Sequence, residues 1–159
     1  MTNKKNIYDW LNDYSLYHKN ETNKLIHWIC IPLIILSLFG LLSIINFDTQ
    51  LNNISYSINI MYVLILTALI FYLRLSITIT IGMLLISLLI VYIVNSLSFI
   101  EDKNLLQGYG LLFILSWTMQ FIGHKIEGKK PAFIKDLKFL LIGPAWLLSF
   151  IYIKLKIKI

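Results

Sequence analysis

His18, His27 and His124 are the three histidines of this 159-residue chain, and each has polar neighbours at spacings that matter. A neutral imidazole is a common metal ligand, so three of them form a candidate metal-binding set. His18 and His27 are nine residues apart. At ~100° per residue, one unbroken helix would put them on opposite faces. They converge only if the chain breaks between them. Asn20-Glu21-Thr22-Asn23 is the expected break, with Thr22 or Asn23 capping the helix that follows. His27 then lies in the first helical turn. The positive helix end disfavours imidazolium there and keeps the ring in the neutral form a metal requires. His124 and Glu127 are three apart and share a face if their helix continues past Gly123. Gly128 suits the position just after the helix end, and Pro131 blocks resumption. Glu127 is expected either to bind a metal directly or to orient a ligating histidine. Asn20 and Asn23 complete the polar set as candidate catalytic groups beside Glu127. Each asparagine also has a plain reading as a helix cap, and each histidine one as an interfacial anchor.

The elements that must position these residues are membrane helices. The chain is 58% hydrophobic and only 14% charged, against about 25% charged in a soluble domain. The charges cluster and leave apolar runs near the ~20 residues that cross a bilayer as a helix. Spans are expected near residues 25–45, 58–73, 75–100 and 105–123. Residues 46–57 and 101–104 read as polar connections. A last apolar stretch, residues 139–153, is short and interrupted by Gly143-Pro144. It is expected to re-enter the membrane as a hairpin or interfacial helix pair, or else to form a fifth short segment. The expected fold is therefore all-α: a polytopic transmembrane helix bundle forming one membrane-embedded domain over residues 1–159. Isoleucine-rich runs have a β-like look, but a lone strand in lipid cannot satisfy its backbone groups, whereas a helix can.

Residues 1–24 are polar, and Tyr8, Trp10, Leu11, Tyr14 and Tyr17 recur at helical spacing. Such a face suits the headgroup region. The segment lacks the pattern of a secretory leader, so the first apolar run reads as a retained helix. Cys30 lies within that run and is expected to be a buried, inert thiol. Orientation follows from the lysines and the arginine. Lys4, Lys5, Lys19 and Lys24 precede the first span, Arg74 separates the second and third, and Lys125, Lys129, Lys130, Lys135 and Lys138 follow the fourth. The opposite loops hold Lys103 alone. All three histidines then face the cytoplasm, at a bacterial inner membrane or an endoplasmic reticulum. Lys154, Lys156 and Lys158 fit the same face if the last stretch re-enters.

Two blocks resemble one family. Tyr17-His18-Lys19-Asn20, Asn23, His27 and Ile31-Pro32-Leu33 form the first. Trp117-Thr118-Met119-Gln120-Phe121-Ile122-Gly123-His124, Glu127 and Lys129-Lys130-Pro131-Ala132 form the second. Together they are similar to the iron-dependent 2-hydroxy fatty acid dioxygenases of fungal endoplasmic reticulum and their bacterial relatives. The resemblance implies Fe(II) held by His18, His27 and His124, and O₂-dependent shortening of a long-chain 2-hydroxy fatty acid by one carbon. The fungal members act in sphingoid-base breakdown. A 2-hydroxy carboxylate chelates a metal, and its tail belongs with membrane lipids. Lys129 or Lys130 is expected to attract the carboxylate, and Tyr17 to lie with the substrate. Nucleic acid is not an expected partner. The stretch Glu127-Gly128-Lys129-Lys130 departs from the family pattern, in which an aromatic precedes the glutamate and an arginine follows it.

Two other classes compete. A small transporter would carry ionisable groups near the bilayer midplane. The span interiors here offer Ser43, Thr67, Ser76, Thr78, Thr80, Ser87 and Asn95, none ionisable. A noncatalytic membrane scaffold accounts for the composition but not for the spacing of the polar residues.

Overall fold

The computed structural model describes residues 5–51, 54–134 and 136–159. Lys4 and Lys135, two of the orientation charges, lie outside the described residues. Among the described residues six α-helices run in chain order: α1 (Ile7–Ser15), α2 (Glu21–Ser43), α3 (Ile60–Leu73), α4 (Ile77–Ser96), α5 (Asp102–Glu127) and α6 (Phe139–Lys154). A two-stranded antiparallel hairpin, β1 (Asn46–Leu51) and β2 (Ile54–Asn59), joins α2 to α3. A 3₁₀ turn, Ala132–Ile134, lies between α5 and α6.

Among the described residues three helices, α2, α4 and α5, are long and apolar enough to cross a membrane, with 23, 20 and 26 residues. The chain is thus an all-α bundle with an integral-membrane character. The second expected span is shorter than anticipated. Asn59 ends β2 and caps α3 by accepting the Met61 N–H at 2.9 Å. That leaves 14 residues for α3 and, at the other end of the chain, 16 for α6. At ~1.5 Å per residue these rise about 21 and 24 Å, less than the ~30 Å of hydrocarbon. The connection expected as a polar loop at residues 46–57 is largely hairpin. Asn46 pairs with Asn59 at its base, and the Asn59 amide also donates to the Ser43 carbonyl at 2.6 Å.

α2 and α5 form the principal antiparallel pair. Apolar burial supplies little drive between helices in lipid, so close packing at small residues matters more. Glycines mark both ends of this pair. Gly40, late in α2, receives the Tyr109 ring from early α5. Gly123, late in α5, receives Asn23 from early α2, and a Cβ there would lie 2.5 Å from Asn23 Oδ1. The chain's two sequence blocks therefore meet at one end of the bundle, and the hairpin closes the other.

α6 corrects one expectation. It is a single unbroken helix through Gly143-Pro144, not a hairpin, and its middle is the centre of the bundle. Ile142 and Ala145 are 0% exposed and Trp146 2%. α1 folds back over it. The face Ile7, Trp10, Leu11 and Tyr14 is buried against Phe139 and Trp146, with ring centroids 5.4 Å apart for Trp10–Phe139 and 5.3 Å for Tyr14–Trp146. That part of the expected aromatic face packs on protein, because α6 offers it a complementary apolar surface, while Tyr8 remains exposed. Gly143 allows the approach, since a Cβ there would be 3.0 Å from the Tyr14 hydroxyl. The outward faces of α4 and α5 remain apolar and exposed, including Leu85, Leu88 and Leu89 on α4 and Leu111, Ile114 and Leu115 on α5. Cys30 is a buried free thiol, as expected.

Candidate metal centre

The chain break that lets His18 and His27 meet lies one turn earlier than expected. α1 ends at Ser15, residues 16–20 turn back, and α2 begins at Glu21. Asn20, not Thr22 or Asn23, is the N-cap: its side-chain oxygen accepts the N–H groups of Thr22 at 2.9 Å and Asn23 at 3.2 Å. An asparagine in extended conformation at this position leaves Asn23 inside the helix, where its side chain is free for other work.

His18, His27 and His124 are all buried, and one ligand atom from each lies within 4.8 Å of the others. They are the metal-competent cluster among the described residues. Two of the rings have defined tautomers. His18 Nδ1 is 2.8 Å from the Tyr14 carbonyl, and His27 Nδ1 is 2.9 Å from the Asn23 carbonyl. A carbonyl can only accept, so each Nδ1 carries the proton and each Nε2 presents a lone pair. The two Nε2 atoms face each other at 3.0 Å. Two lone pairs at that distance repel unless a proton or a cation lies between them. Burial lowers His18 to about 4, against a partial lift from its bond to Tyr14. A shared proton at neutral pH is therefore disfavoured, and a cation fits the donor set. His124 closes the triangle, its ring centroid 5.0 Å from that of His18 and 4.9 Å from that of His27. Its Nδ1 is buried without a hydrogen-bond partner among the described residues.

The helix end of α5 holds this arrangement together. Gly128 adopts the left-handed conformation (φ 71°) as C-cap, which carries Glu127 onto the face of His124 as the spacing predicts. The Glu127 carboxylate accepts the backbone N–H of Lys19 at 2.9 Å and of Asn20 at 2.8 Å, and the Asn23 amide at 3.1 Å. It therefore ties the turn carrying His18 to the helix carrying His27, and takes no place among the clustered ligand atoms. Asn23 relays the same constraint, because its backbone carbonyl orients His27. Asn20 caps α2 from the edge of the clamp. Lys129 reaches the Leu16 carbonyl at 2.6 Å and fastens the same turn, while Lys130 is exposed. Tyr17 lines a cavity of about 180 Å³ with Lys5, Trp10, Asp13, Leu16, Asp136 and Phe139.

Two supporting residues escaped the sequence reading. The Tyr14 carbonyl accepts a hydrogen bond from His18 Nδ1–H, and its ring stacks on the imidazole with centroids 4.1 Å apart. Its place four residues before His18 was an available signal. Trp146 packs against His18 at 5.2 Å and donates its indole N–H to the Ser15 hydroxyl at 2.8 Å. No local pattern connects it to the histidines.

A family model described as 2-hydroxy-palmitic acid dioxygenase Mpo1-like matches residues 4–155. No curated protein and no solved structure matches the chain.

Proposed function

The chain belongs to the Mpo1-like, 2-hydroxy-palmitic acid dioxygenase family, and from that membership we propose a specific activity. The protein holds one Fe(II) on His18, His27 and His124 and uses O₂ to shorten a long-chain 2-hydroxy fatty acid by one carbon. The observation that carries the metal reading is the pair of bare Nε2 atoms 3.0 Å apart. Imidazole donors suit iron, and when bound the ion would supply open positions for a chelating substrate and O₂.

The chain's own residues do the rest. Tyr14 and the Asn23 carbonyl fix two imidazoles with their lone pairs inward. Glu127, Asn20 and Asn23 act as positioning groups, holding the two histidine-bearing segments in register. Burial of the cluster excludes bulk water from the reacting end of the substrate. Lys130, exposed on the adjacent turn, draws the anionic headgroup toward this end of the bundle. The acyl tail stays in lipid, where each buried CH₂ contributes ~0.8 kcal/mol. The lysine distribution supports a cytoplasmic orientation for this face.

Purified, iron-loaded protein in detergent is incubated with 2-hydroxypalmitate or palmitate, with and without O₂, and the products are read by mass spectrometry. The hydroxy acid should lose one carbon in O₂ only, and palmitate should persist. Equal turnover of both acids would discard the chelation argument. Metal analysis of His18→Ala, His27→Ala and His124→Ala should show loss of iron in each, and a variant that retains full iron removes its residue from the ligand set.

A further inference from the structure

A cavity of about 60 Å³ opens beside His124, between α2, α5, α6 and the 3₁₀ turn. Most of its wall is apolar: Ile31, Ile34 and Ile35 from α2, Leu140 and Pro144 from α6. Two polar side chains join His124 in the lining, Trp117 and Gln120, two helical turns and one helical turn before it on α5. Gln120 is buried, at 6% exposure. The Trp117 Nε1–H is also buried and has no hydrogen-bond partner among the described residues, as is true of His124 Nδ1. A buried donor without a partner costs about 1–3 kcal/mol. An unpartnered indole N–H and a buried carboxamide on one small cavity mark a place where a polar ligand belongs.

We infer that this cavity receives the headgroup of the 2-hydroxy acid, with Trp117 and Gln120 as its substrate-binding residues. The inference rests on the dioxygenase reading. At ~10–15 Å³ of such space per water-sized group, the volume holds about four to six groups. A carboxyl carbon with its oxygens, the next carbon and its hydroxyl make up a headgroup of that size. One headgroup oxygen accepts the Trp117 Nε1–H, and the Gln120 carboxamide, able to donate and accept, meets another. His124 at the cavity wall keeps the headgroup next to the three-histidine cluster. The chain leaves past Leu140, which is 40% exposed on the apolar surface. Lys129 and Lys130 do not line this cavity. Recognition inside it therefore depends on uncharged hydrogen bonds, with the lysines left to act at longer range.

The test compares wild type with Trp117→Phe, which keeps an aromatic ring and removes the N–H, and with Gln120→Leu. Binding of radiolabelled 2-hydroxypalmitate to iron-loaded protein in detergent is measured together with KM, kcat and iron content. Each variant should bind about three- to tenfold more weakly, as expected for one lost hydrogen bond. KM should rise in step, with iron content and kcat near wild type. A third variant, Ile34→Phe, narrows the cavity without touching a polar group and should also weaken binding. Wild-type affinity and KM in both Trp117→Phe and Gln120→Leu would overturn the inference while leaving the dioxygenase reading intact, the cavity then holding only water. A wild-type protein that holds iron but neither binds nor converts the hydroxy acid would overturn both. Loss of iron in the two polar variants would assign them to the metal centre and overturn the substrate role.

Discussion

Replacing Glu127 by glutamine tests whether this carboxylate positions the histidines or binds metal itself. In the structure one oxygen accepts the Lys19 N–H, and the other accepts both the Asn20 N–H and the Asn23 amide. A glutamine can keep its carbonyl toward Asn20 and Asn23. Its NH₂ then faces the Lys19 N–H, donor against donor, and that bond is lost. The remaining two lose their charge assistance. Hydrogen bonds to charged groups contribute about 1.5–3 kcal/mol each. Glu127 is only half-buried, so water replaces part of the loss, and the net cost should lie near the lower figure. At ~1.4 kcal/mol per tenfold, iron affinity should fall by about tenfold or somewhat more, in the range seen when groups supporting metal ligands are altered. Iron affinity is measured by competition with a chelator of known strength, and thermal unfolding is followed on the same samples. The electron paramagnetic resonance spectrum of an iron–nitrosyl adduct at saturating iron should match wild type, because no ligand has changed. An altered spectrum would make Glu127 a ligand and refute the clamp. Unchanged affinity and unchanged melting would refute the coupling between the clamp and the histidines.

Gly123→Ala places a Cβ 2.5 Å from Asn23 Oδ1; the crossing of α2 and α5 must shift, with a stability loss of about 1–3 kcal/mol and weaker iron binding, read by thermal melting and metal analysis. Chelating the iron from wild-type protein should lower the melting temperature, since free metal at a hundredfold excess over its dissociation constant stabilises by about 2.7 kcal/mol; the same treatment of His18→Ala should change nothing, and an equal drop in that variant would place the metal elsewhere. Single cysteines introduced at Lys19 and Lys130 in a Cys30→Ser background should label from the same side of sealed vesicles, the cytoplasmic one, and labelling from opposite sides would contradict the joining of these two turns.

Much of the site is legible in the chain because it depends on local periodicity. The three-residue spacing of His124 and Glu127 puts both on one face, and Gly128 with Pro131 ends the helix just beyond them. The nine-residue separation of His18 and His27 demands a break, although capping competition among Asn20, Thr22 and Asn23 left its position one turn uncertain. Long apolar runs declare membrane helices because lipid leaves the backbone no other way to satisfy itself.

What only the tertiary structure decided is which distant surfaces meet. The α1 stripe of Trp10 and Tyr14 suits headgroups as well as protein, and only the presence of α6 beside it selects protein. The centrality of α6 was hidden because a buried helix in a bundle and a helix facing lipid are equally apolar in sequence. Glu127 reads as metal ligand or support from spacing alone; its role as a clamp appears once the turn before α2, more than a hundred residues away, lies against it. The opposed Nε2 atoms of His18 and His27 follow from two backbone carbonyls whose directions are a property of the folded turn. Periodicity assigns residues to faces. Which faces touch is decided by close packing at a few small residues, Gly123 against Asn23 and Gly143 against Tyr14 among them, and those approaches exist only in three dimensions.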